Sequence, residues 1–148
     1  MRVRSSNNNI KSLECIDSRR NIWRLRWDIS EDSFEEVEFR HKPTEDEIRN
    51  TITNWYNSQI EDKIINGFVW KGIKIYLSRD NQMNYSLFSN SELTPLTLKL
   101  GTEEEPVYHT FNSRLELENF RKSISSHIRS CLQEGWNKKK SIDWSIYK

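Results

Sequence analysis

The sequence predicts an α+β fold: a small antiparallel sheet and β-hairpins packed against two longer amphipathic helices. Three observations carry that expectation. Large apolar residues alternate with polar or charged ones from Ile22 to Ile29 and from Phe34 to His41, the period of two that marks half-buried strands. After Thr44, and again after Ser113, apolar residues recur at spacings of three and four, the period of a helix with one buried face. Between these helical runs, Phe68–Trp70 and Ile73–Leu77 flank Lys71-Gly72, a two-residue break that suits a tight hairpin.

The opening dozen residues are polar and are expected to be frayed as far as Ile10. A strand is expected from Ile10 to about Ile16, with Asp17-Ser18-Arg19-Arg20-Asn21 as its turn. Trp23, Leu25, Trp27 and Ile29 then alternate with Arg24, Arg26 and Asp28, which puts the arginines on the solvent face. Ser30–Ser33 is a polar break before Val37, Phe39 and His41 resume the alternation. Three strands in sequence with short connections predict an antiparallel meander. The one stretch with a linker's composition is Glu31–Pro43, so a division is expected into an N-terminal strand region, 1–43, and an α+β module, 44–148.

Thr44 and Glu47 have capping-box spacing, and Glu45, Asp46 and Glu47 suit the positive end of a helix. Ile48, Ile52, Trp55, Tyr56 and Ile60 give that helix its apolar face, and Gly67 is its natural stop. After the hairpin, Ser78 is expected to cap a shorter helix reaching about Ser89, with Met83, Leu87 and Phe88 inward. Pro95 breaks that run. Leu96, Leu98 and Leu100 then predict a strand, Gly101–Pro106 a turn, and Val107–Phe111 the returning strand. Ser113 with Glu116 forms a second capping box, opening the longest helix. Its buried stripe is Leu117, Phe120, Ile124, Ile128, Cys131 and Leu132, with Gly135 as its end and Trp136, Ile142, Trp144 and Tyr147 folding back as apolar anchors.

Composition narrows function by exclusion. In 148 residues, 23 Lys and Arg nearly balance 22 Asp and Glu, so net charge gives no case for a duplex nucleic-acid binder. No apolar run approaches a membrane span, and the first residues lack the apolar core of a secretory leader; a soluble intracellular product is expected. Cys15 and Cys131 stand far apart and are expected to be reduced thiols. With four glycines and no Gly-rich phosphate loop, no nucleotide cofactor is expected.

Candidate chemistry is sparse. His41, His109 and His127 have no second histidine or carboxylate at ligand spacing, and neither cysteine has a CxxC partner, so no metal site is expected. Glu103-Glu104-Glu105 reads as a solvated turn rather than a cation loop. Lys138-Lys139-Lys140, placed past a helix end, reads as a complement to the helix dipole. Trp23, Trp27, Trp55 and Trp70, with Tyr56 and Tyr76, are expected mostly in the core of a chain short of aliphatics. Asn81-Gln82 with Asn84-Tyr85 would tie a helix start to the hairpin or form a contact surface. An enzyme acting on cell-wall or capsular glycan would need paired acids such as Glu35, Glu36 or Glu38, which equally read as an ordinary exposed strand face.

The order of motifs from about Thr44 onward resembles a domain-of-unknown-function family of phage and prophage proteins, of the Bacteroides type, found near tail-fibre genes. The residues that carry the resemblance are Ile64-Ile65-Asn66-Gly67-Phe68, the hairpin with Trp70, Gly72 and Ile73, and Ser78 with Asn81-Gln82. They continue in Lys99-Leu100-Gly101, Pro106-Val107-Tyr108, the helix with Phe120, Ile128 and Cys131, and Lys138–Ile142. Family members carry a tryptophan-like aromatic where this chain has Tyr108, and residues 1–43 lie outside the match. The resemblance implies a non-enzymatic virion component made in the host cytoplasm: a small tail, baseplate or fibre-attachment protein, or a chaperone for one. Its partners would be other tail or fibre proteins, with a homo-oligomer left open, and it supplies neither catalytic residues nor cofactors. Trp70, Asn81, Gln82, Tyr85, Trp136 and Trp144 are the candidate partner-contact residues.

Overall fold

A computed structural model of the chain describes residues 1–5, 9–88 and 94–148. These residues form an α+β fold with eight strands in three small antiparallel sheets and three α-helices. They divide into two compact units, residues 1–55 with 141–148 and residues 56–140. The division falls inside the first long helix, α1 (Glu45–Asn66), not after residue 43 as linker composition suggested. The supposed linker is largely a strand.

In the first unit, β1 (Arg2–Arg4), β2 (Leu13–Asp17), β3 (Ile22–Trp27) and β4 (Ser33–Phe39) form one sheet in the order β1-β4-β3-β2. The expected meander is β2-β3-β4. β1 corrects the expectation of a frayed N-terminus: Val3 pairs with Phe34, and the terminal amine donates to the Glu36 carbonyl at 3.1 Å. A short charged segment is held because β4 offers it an open edge. The β2–β3 turn is fixed by Asp17 Oδ1, which accepts the Arg19 and Arg20 amides at 3.1 and 3.2 Å. Leu25, Trp27 and Phe34 are buried, and Trp27 meets Trp55 of α1 edge-on at 6.1 Å.

Arg26 was expected in solvent and is 7% exposed. Its Nε donates to Glu36 Oε2 at 2.7 Å, and its Nη1 to Glu14 Oε2 at 2.8 Å and the Lys11 carbonyl at 3.1 Å. The neighbouring strands thus satisfy the guanidinium where water is displaced. Arg26→Met is expected to destabilise this unit by about 2 kcal/mol, below the 3–5 kcal/mol of a sealed pair because water still reaches Glu14. Urea unfolding should register it; an unchanged midpoint would show that the triad contributes nothing net.

In the second unit, β5 (Phe68–Trp70) and β6 (Ile73–Ile75) form the expected hairpin. Lys71 and Gly72 both have positive φ, 49° and 77°, the mirror-image turn whose twist matches the strands. Helix α2 (Arg79–Leu87), the hairpin β7 (Leu96–Gly101) with β8 (Pro106–Phe111), and the long helix α3 (Arg114–Lys140) complete it. Its core gathers Phe68, Trp70, Ile75, Leu77, Tyr85, Leu98, Leu100, Phe111, Leu117, Phe120 and Ile124. The end of α2 expected at Ser89 lies outside the described residues; its last described turn ends at Leu87. Helix α3 does not stop at Gly135 but continues to Lys140, so Lys138–Lys140 form its last turn rather than following it.

Candidate functional site

Ser78 decides which way α2 faces. Its hydroxyl accepts the Asn81 amide N–H at 3.1 Å, satisfying a donor that the first helical turn leaves open. Asn81 Nδ2 then donates to the Tyr76 carbonyl at 2.8 Å, and Gln82 Nε2 to the Leu77 carbonyl at 2.9 Å. These amides tie the helix back to the chain leaving β6. The same face carries Tyr85 inward, where its hydroxyl donates to the Lys99 carbonyl at 2.8 Å. Met83, Leu87 and Phe88, expected inward, are instead 64%, 68% and 42% exposed. A nine-residue helix has one inward face, and the two amide bonds with the tyrosine choose it.

Trp70 is also internal. Period two along β5 puts Phe68 and Trp70 on one side and leaves Val69 60% exposed on the other. The Trp70 ring meets Phe120 at 4.9 Å, His109 at 5.3 Å and Phe111 at 5.5 Å. As a partner contact Trp70 is therefore corrected to a core residue. Trp144 is half-buried, under the Arg49 guanidinium at 4.8 Å. Of the six candidate residues, Trp136 presents the most open surface, 48% exposed on α3. It lines a shallow cleft of about 300 Å³ with Ser125, Ile128, Arg129, Leu132 and Gln133.

Two histidines meet carboxylates that sequence spacing did not single out. His41 Nε2 lies 2.8 Å from Glu47 Oε2, and His109 Nε2 is bonded to Glu116 Oε1. Sequence distance hid the second pair, because β8 and the first turn of α3 fold onto each other across the Ser113 cap. Ser113 Oγ accepts the Glu116 amide at 3.2 Å, and Lys71 Nζ stands 3.8 Å from the other Glu116 oxygen. His127 Nε2 reaches the Lys63 and Ile64 carbonyls at 3.1 and 3.0 Å, closing the end of α1. Among the described residues, no group of three His, Cys, Asp or Glu stands together to hold a metal. Both cysteines are free thiols, and burial pushes the Cys131 thiol up from its ordinary range.

The hydrogen bond from His109, with help from Lys71, holds the Glu116 carboxyl below its ordinary value of 4.5. A depressed carboxylate adds stability above its unfolded pKa and loses it as pH falls through the folded value. The second unit should therefore weaken below about pH 4.5, and Glu116→Gln should flatten that acid limb. Thermal melts between pH 3 and 7 would test this; parallel acid limbs for both proteins would refute it.

Of the acids considered for glycan chemistry, Glu35 and Glu36 are engaged in the sheet, and Glu38 is exposed. Glu35 is 3.2 Å from the terminal amine and 3.8 Å from Arg2. Glu36 meets Arg26 at 2.7 Å and Arg24 at 3.7 Å. Alternation along β4 sends neighbouring acids to opposite faces. Glu103–Glu105 form an exposed turn in which Thr102 Oγ1 accepts the Glu105 amide at 3.0 Å. No described helix is long and apolar enough to cross a membrane. The chain matches no protein-family model, no curated protein and no solved structure.

Proposed function

We propose that this chain is a non-enzymatic phage structural protein, a small tail, baseplate or fibre-attachment component that works through protein–protein contacts. The observation that carries the reading is the motif order from Thr44 to the chain's closing residues. The helix ending at Asn66-Gly67, the hairpin with Trp70 and Gly72, and the Ser78 start with Asn81-Gln82 precede a strand pair and a long helix. Residues 56–140 of that order close on one core, as a recurrent module would require. The unit also carries exposed anchors suited to contact: Tyr108 is 68% and Trp136 48% exposed. Aromatics in such positions carry a large share of interface energy.

Peptide mass spectrometry on purified phage particles, with infected-cell lysate as control, tests the reading. Stoichiometric recovery from particles is expected. Abundance in lysate with absence from particles would replace it with a tail-fibre assembly chaperone. Absence from both would remove the phage assignment.

A further inference from the structure

Ile128, Leu132 and Trp136 follow one another at spacings of four on α3, so they stand in one row along the helix. Ile128 leans on the core, Leu132 is half-buried and Trp136 is largely open. Ser125, Arg129 and Gln133, the adjacent row of the same helix, line the cleft with them. Three long apolar side chains, open along their outer half, make a slot that a second helix can fill. The row starts at the buried stripe of Leu117, Phe120 and Ile124, to which Ile128 belongs, and leaves the core toward Trp136. The row is therefore a narrow slot, not a broad face for a bilayer.

The unpaired charges on α3 beside the row have one sign. Arg121, Arg129 and Lys140 are exposed and make no ion pair with any described residue. Elsewhere in this unit Lys63 pairs with Glu134, Arg79 with Glu61 and Lys99 with Glu103, while Lys122 on α3 and Lys74 on β6 are exposed and, like the three, make no ion pair with a described residue. The acids of α3 that flank the row are engaged, Glu118 with Arg114 at 3.0 Å and Glu134 with Lys63 at 3.1 Å and Lys138 at 3.2 Å. A second copy docking through the same row would bring cations against cations.

Resting on the protein-contact reading above, we propose that this face receives an amphipathic helix of a partner protein, apolar along one side and flanked by Asp or Glu. The three free cations meet the partner's acids, while Leu132 and Trp136 take its apolar row.

The test uses the full chain and a fluorescein-labelled helical peptide with Leu along one side and Glu beside it. A twin carries Lys in place of Glu. Fluorescence anisotropy is expected to show the Glu peptide binding about 10-fold tighter than its twin, with affinity falling as salt rises. Trp136→Ala and Arg129→Glu, both at exposed positions, should each weaken it about 10-fold, with Arg129→Lys retaining binding. Equal binding of the twins, or indifference to both weakening substitutions, overturns the proposal. So does a dimer that Trp136→Glu dissociates, or tighter Trp136-dependent binding to phosphatidylglycerol vesicles or duplex DNA than to the Glu peptide. Recovery of the chain from particles without peptide binding would overturn this docking face and leave the structural role standing. Peptide binding with the chain missing from particles and lysate would do the reverse.

Discussion

Phe120→Ala is expected to cost the 56–140 unit about 3–5 kcal/mol, a large part of the roughly 5–15 kcal/mol that holds an ordinary domain together. Phe120 is 1% exposed and stands where four elements converge. Its ring lies 4.9 Å from Trp70 and 6.5 Å from Phe68 on β5, 5.3 Å from Tyr85 on α2 and 5.2 Å from Phe111 on β8. Truncation removes edge and tilted ring contacts together and leaves a cavity whose rigid walls cannot close in. Urea unfolding followed by tryptophan fluorescence should show the loss, while Leu115→Ala, at a position 67% exposed, should change little. A loss below about 1 kcal/mol for Phe120→Ala would mean that the ring cluster is not what holds this unit together.

How much of this was legible in the sequence depends on whether neighbours or distant residues set each feature. Thr44 and Glu47 cap each other within one turn, Thr44 N–H to Glu47 Oε1 at 3.1 Å and Glu47 N–H to Thr44 Oγ1 at 3.2 Å, so their spacing sufficed. Lys71-Gly72 likewise announced its hairpin. Arg26 was misread because alternation assigns a side but not its depth; only the register of β2 and β4 brings Glu14 and Glu36 to it. Met83 and Leu87 were misread because a short helix is oriented by its tethers, Asn81 and Gln82, rather than by its apolar residues. For the contact surface, Trp136 could be picked as an aromatic, but not its row with Ile128 and Leu132 while Gly135 was read as a helix stop. One signal was present. Gly135 continues the stripe of Leu117, Phe120, Ile124, Ile128 and Cys131 at helical spacing, and the three lysines beyond it favour a helix.

Gly135→Ala is expected to destabilise the protein, although Ala inside a helix normally gains about 1 kcal/mol over Gly. A Cβ at Gly135 would fall within the van der Waals envelope of Ile60 Cγ1 and Cδ1. Ile60 is 8% exposed, and a β-branched residue in a helix has one strongly preferred rotamer, so it cannot swing aside without strain. Overpacking of about 1–3 kcal/mol should outweigh the propensity gain, leaving Gly135→Ala about 1 kcal/mol less stable and Gly135→Leu about 3 kcal/mol less stable. In an Ile60→Ala background the space is open, so Gly135→Ala should become stabilising there. A double-mutant cycle on thermal or urea unfolding reads that reversal as a coupling of about 2 kcal/mol. If Gly135→Ala stabilises the unaltered chain, the close approach of α1 and α3 is not limiting. Polar contacts on the same two helices, Lys63 to Glu134 at 3.1 Å and Lys139 to Asn57 at 2.7 Å, are exposed and cannot set the spacing by themselves. The absent side chain at 135 is what lets Ile60 close the gap, which is why a helix former is expected to fail there.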